Sequence, residues 1–184
     1  MRSLLVVPAI CLFGCAPALI PVARGKASMV PPVKLAVFLP MDVRTAPPDR
    51  EFSDDASAVV REGLVREFRQ AGCAVADLDT LDTLVQESLG NGDVSWDEAS
   101  RISQRVGADL AVVGKVTDYR RGSMVGPSTV VGIRLDVVDP AGRTSWTVEH
   151  KETAAQEDPA VLARDVSLKA AQALLKAWGG CPGR

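Results

Sequence analysis

The side chains in this chain that could carry chemistry are few and far apart. The single histidine, His150, alternates with Trp146 and Val148 on one face of an expected strand. No serine, cysteine or acid stands at a spacing that would make it a proton relay. Asp77, Asp79 and Asp82 are the nearest approach to an acidic cluster. A metal site asks for a denser set of His, Cys or carboxylate ligands, and a helix cap accounts for these three better. Gly-x-Gly-x-x-Gly and Gly-x-x-x-x-Gly-Lys are both absent, and the lone Gly114-Lys115 pair falls inside a strand, so no phosphate cradle is indicated. The residues therefore predict no catalytic group, no metal and no cofactor.

The cysteines say more. The chain opens with Arg2, a short apolar run and Leu12-Phe13-Gly14-Cys15. This is a secretory signal too short to span a bilayer as a stable helix. Leu12 to Cys15 resembles a bacterial lipobox, which makes residues 1–14 a signal peptide and Cys15 the lipidated first residue of the mature chain. Cleavage after Ala18, by an ordinary signal peptidase, is the other reading of Ala16-Pro17-Ala18. Ala16, rather than an aspartate, after the cysteine directs the protein to the outer membrane, facing the periplasm. An exported chain meets an oxidising compartment, which leaves Cys73 and Cys181 as a candidate disulfide.

Removing the signal leaves roughly 170 residues, enough for one domain with a real core. The formal charge of −2 and the eight aromatic side chains give neither a basic footprint nor a stacking platform, so nucleic acid is excluded as a partner. Residues 15–32, small, apolar and punctuated by proline, read as an extended tether ahead of a domain at 33–180, with 181–184 as a tail.

The elements that must position any site follow from periodicity. Val33 to Leu39 is a first strand, and Ser53-Asp54-Asp55 opens a helix whose Ala56, Val59, Val60, Leu64 and Phe68 share a face. Cys73 to Leu78 returns as a second strand, completing a right-handed βαβ unit. A helix capped at Asp79 or Thr80 and another from Trp96 to Val106, with the Ser95–Glu98 capping pattern, precede the central strand. That strand, Leu110 to Val113 and onward to Tyr119, carries the unbroken apolar run of a segment buried on both faces. Thr129 to Val138 and Thr144 to Lys151, joined by Asp139-Pro-Ala-Gly142, read as an antiparallel hairpin. Asp158-Pro159 starts the last helix, packed through Leu162, Val166, Ala170, Leu174 and Trp178. The expectation is an α/β, three-layer single domain with a mixed sheet of about five strands, three parallel plus the C-terminal hairpin, flanked by helices.

This order, with Lys34-Leu-Ala-Val-Phe-Leu-Pro40, Arg105-Val-Gly-Ala-Asp-Leu-Ala-Val-Val-Gly-Lys115 and the run from Val131 to Trp146, resembles the domain of the curli-secretion lipoproteins and the lipoprotein activators of penicillin-binding proteins. The resemblance spans residues 33 to 178 and brings no catalytic residue with it. Arg120 to Ser128 is too short to supply the long membrane hairpins of the curli pores, and the tether is shorter than those of the activators. What it implies is a non-enzymatic, lipid-anchored envelope adaptor that binds another envelope or cell-wall-synthesis protein. A subunit of an outer-membrane export or assembly complex, with self-association into a homo-oligomer, is the alternative; an exported enzyme comes third.

With the first three strands parallel, the loops Met41 to Phe52 and Arg120 to Ser128 leave the same end of the sheet. Met41, Arg44, Arg50, Arg120, Arg121 and Met124 are the expected partner contacts, a mixture of Arg and Met typical of interfaces. The strand directions also bring Cys73 and Cys181 to the opposite end. A bridge between them and a small buried Cys73 at a helix-to-strand corner both fit that placement.

Overall fold

The computed structural model describes residues 22–25, 34–43, 56–90, 93–121, 128–155 and 157–181. They form seven strands and four helices: β1 Arg24–Gly25, β2 Lys34–Val37, β3 Met41–Asp42, α1 Ala56–Gln70, β4 Ala74–Val75, α2 Leu78–Leu89, α3 Trp96–Arg105, β5 Leu110–Arg120, β6 Ser128–Val138, β7 Thr144–Ala155 and α4 Pro159–Trp178. One mixed sheet runs β1-β7-β6-β5-β2-β4, with β3 also paired to β5. β2 lies parallel to β4 and β5, whereas β5–β6, β6–β7 and β1–β7 are antiparallel. The three-layer α/β class expected from the sequence is the one observed.

The strand count of about five is corrected to seven, because two short segments join the sheet. Arg24–Gly25, within the stretch read as a tether, pairs with Thr147 and Trp146 at the start of β7. Gly25 is what allows this, since a Cβ there would collide with the Trp146 ring and the Ser145 carbonyl. Met41–Asp42 resumes pairing with β5 after Pro40 interrupts β2. The expected second strand, Cys73 to Leu78, shrinks to Ala74–Val75. Asp77 takes the N-cap instead of Asp79 or Thr80, its carboxylate accepting from the Thr80 N–H at 2.8 Å, so Leu78 already starts α2.

Helices α1 and α4 cover one face of the sheet over Leu35, Val37, Leu110, Val112, Ile133, Leu135, Val137 and Val148. On the other face α2 and α3 cover a smaller cluster around Ala36, Phe38, Leu81, Ile102, Ala111 and Val138. β6 is buried almost throughout, and Asp136 on it is buried too, held by Thr147 and Arg134.

The chain directions define two ends. The lower end, where β2 and β5 start, holds β1, Cys73 and Cys181; the upper end, past β2, holds Met41.

Candidate functional site

Leu39, Met41, Val113, Lys115 and Asp136 form the floor of a cleft of about 450 Å³ on the sheet face that carries α3. Asp93, Val94, Ser95, Trp96 and Asp97 form its wall. The floor exists because α2 and α3 cover only part of this face, so the next rows of β5, β6 and β7 meet solvent with polar side chains. There Arg134 bonds Glu149 at 3.1 Å and Asp136 at 3.4 Å. One row further, Lys151 bonds Asp118 at 2.9 Å across Gly132, where a Cβ would strike Thr117 and Asp118. Lys115 has no ion-pair partner among the described residues.

The wall is fixed from behind. Ser95 caps α3 by accepting from the Glu98 N–H at 3.3 Å. Ser100 and Gln104 both donate to the Pro140 carbonyl, at 2.8 and 2.6 Å, which pins α3 to the β6–β7 turn. That turn is built by Asp139, which accepts from the N–H groups of Ala141 and Arg143 and from the Arg143 guanidinium. Burial acts to raise the Asp139 pKa; these backbone and guanidinium partners outweigh it and hold the carboxyl below its ordinary value. Gly142, at φ +76°, brings the turn against Asp97.

Of the expected partner residues, Met41 lines the cleft, half-buried, and Arg120 and Arg121 are exposed at the end of β5. Arg44, Arg50 and Met124 lie outside the described residues, as does Cys15. Trp96 and Leu39, 46% and 47% exposed, were absent from the sequence expectation. The signal was available in Trp96, an aromatic residue at the first helical position of α3 with no place in its buried stripe of Ala99 and Ile102.

Cys73 and Cys181 are joined in a disulfide at the lower end, with Cα atoms 5.1 Å apart. His150 is buried on the α4 side, its Nε2 2.8 Å from Glu152 Oε1, and Lys169 Nζ bonds Glu152 at 2.5 Å and Asp165 at 2.7 Å. Burial acts to lower the Lys169 pKa, but its hydrogen bonds to these two carboxylates raise it overall. This network joins β7 to α4, away from the cleft. Among the described residues no three His, Cys, Asp or Glu side chains gather closely enough to hold a metal ion, and no helix is long and apolar enough to cross a membrane.

The fold, a mixed sheet with α1 and α4 on one face and α2 and α3 on the other, is one that solved structures share. It is similar to the PelC dodecamer from Paraburkholderia phytofirmans, at 17% identity and a TM-score of 0.55, covering 86% of this chain and 96% of that one. It is also similar to lipoprotein GNA1162 from Neisseria meningitidis, at 18% identity and a TM-score of 0.53, covering 77% and 96%. At such identities the likeness is one of fold. No family model and no curated protein matches the sequence.

Proposed function

We propose that this chain is a non-catalytic adaptor of the bacterial envelope, lipidated on Cys15, that docks a protein partner at the cleft between Trp96 and Met41. The observation that carries this reading is the gathering of exposed apolar side chains around the cleft. Of the large apolar residues most exposed among those described, Leu39 and Trp96 flank the cleft and Val43, 37% exposed, follows β3. Such concentrations on an otherwise polar surface mark interaction sites. The lipobox-like segment supports the lipid anchor and outer-membrane placement, and the likeness to lipoprotein GNA1162 agrees with an envelope role.

The test is photo-crosslinking in intact cells from Leu39 and Trp96, with Arg66 on the exposed side of α1 as control. One discrete partner captured from the cleft positions and not from Arg66 is the expected result. Equal capture from all three positions would remove the cleft from consideration. The reading as a subunit of a larger export or assembly complex draws its support from the likeness to the PelC dodecamer. Light scattering of the processed protein distinguishes the two, since that reading requires a ring-sized mass.

A further inference from the structure

The outer edge of β7 is long, regular and, past Thr147, unpaired among the described residues. Its polarity follows from register. Phe38 donates to the Val112 carbonyl at 3.0 Å, so Val112 points its backbone groups toward β2, and Ala111, Val113 and Lys115 point theirs toward β6. Alternation carried through Asp136↔Val113 and Leu135↔Val148 aims Trp146, Val148, His150, Glu152 and Ala154 inward at β6. Thr147, Glu149, Lys151, Thr153 and Ala155 aim their N–H and C=O groups outward. Among the described residues only Thr147 is met there, by Arg24 of β1. Among the described residues the ladder stops at Arg24, and Val22 is 70% exposed. Glu149 to Ala155 thus offers four outward pairs of backbone groups with no partner among the described residues, and no proline or bulge protects them.

We propose that this edge is the contact surface for a second copy of the chain, paired β7 to β7 in antiparallel sense about a twofold axis at Glu152. The register is the one that matches every free group: Glu149 with Ala155 of the second copy, Lys151 with Thr153, and the reciprocal pairs. A shift of two residues either way places Lys151 or Thr153 opposite itself and leaves an outward residue without a match. β1 sets the limit at the lower end, because it already occupies Thr147.

The same operation brings the α4 helices together. α4 packs across β6 and β7, and strands stand about 4.8 Å apart, so two such helices astride the axis would lie about 10 Å apart, within the usual helix-packing distance. Val161, 48% exposed, falls at the i and i+4 spacing with Asp165 and Lys169, the α4 residues that reach β7. That stripe borders the new interface. The two Glu152 carboxylates face each other at the axis, each already bonded by Lys169 and His150. The cleft stays open in the pair, so this inference stands or falls apart from the proposed adaptor role.

Residue-resolved amide exchange over a range of protein concentrations is the test, on the chain as the cell processes it, purified in mild detergent. The amides of Val148, His150, Glu152 and Ala154 should be protected at every concentration. Those of Glu149, Lys151, Thr153 and Ala155 should gain protection only as the mass measured by light scattering doubles. Lys151→Pro, which removes an outward N–H and leaves the β6 ladder intact, should hold the protein at the protomer mass with unchanged far-ultraviolet dichroism; Thr153→Pro serves if that variant does not fold. Exchange at the outward amides that is fast at all concentrations, or a dimer untouched by the prolines, overturns the proposal.

Discussion

Arg61 lies on the packed side of α1 and is only 6% exposed, an unusual fate for an arginine. Its Nε donates to the Val37 carbonyl at 2.9 Å and its Nη1 to Asp82 at 2.7 Å. The Val37 carbonyl points to the side where β4 would have continued, and β4 ends at Val75; the guanidinium replaces the missing strand and ties β2 to α2. The sequence could not reveal this. Arg61 is a helical residue beside Val60, and its partner exists only because Asp77 cuts β4 short. Arg61→Met leaves the buried Val37 carbonyl without its donor and should cost about 1 to 3 kcal/mol, the range for an unsatisfied buried polar group. Asp82→Asn should cost far less, because the Asp82 side chain is 53% exposed. Chemical denaturation of the two variants checks that ordering, and equal losses would contradict the assigned role. Asp139 carries a pH signature. Its folded pKa is depressed, so its stabilising contribution is present above the unfolded value of about 3.9 and disappears as pH falls through the lower folded value. Asp139→Asn should therefore lower Tm at neutral pH, and the gap to the unaltered protein should close below about pH 4.

At the scale of elements, strength of pattern decided what could be read in advance. The doubly buried run of β5, the β6–β7 hairpin with its Asp-Pro-Ala-Gly turn and the Pro159 start of α4 all appear near their expected places. Each has local signals that agree with its tertiary setting. β1 and β3 are two-residue segments whose pairing is decided by distant strands, and nothing local marks them. The cleft was half legible for the same reason: Met41 was named from loop direction, whereas Leu39 and Trp96 become neighbours only through the packing of α3 on the sheet. Gly25→Ala tests β1 as an element. The added Cβ meets the Trp146 ring and the Ser145 carbonyl, so β1 should leave β7 while the rest of the sheet persists. The expected readout is faster proteolysis around Arg24 and loss of protection at the Thr147 amide, with global stability lowered by no more than about 1 kcal/mol. A cooperative loss of the whole fold would mean that β1 belongs to the core.

For the whole molecule, the lower end is where the chain is closed upon itself. Cys73 and Cys181 are 108 residues apart in sequence, so their bond encloses α2, α3, α4 and all of the strands from β4 onward. Beside it Phe68 and Trp178 stack with ring centroids 5.8 Å apart, so the end of α4 packs on the last turn of α1 next to the covalent link. A cross-link over so long a loop acts largely by restricting the unfolded chain, with an entropic stabilisation of about 4 to 5 kcal/mol. Cys73→Ala, Cys181→Ala and the double variant should each lose about 3 to 5 kcal/mol. In a domain of this size that lowers Tm by roughly 10 °C. The three losses should be nearly equal, because removing either sulfur removes the whole bond, and the second substitution has only local packing left to lose. Reduction of the unaltered protein should reproduce the same melt without any substitution. If the reduced and oxidised proteins melted together, or the two single losses added in the double variant, Cys73 would be acting as a packed side chain and the closure of the fold would rest on the Phe68–Trp178 contact.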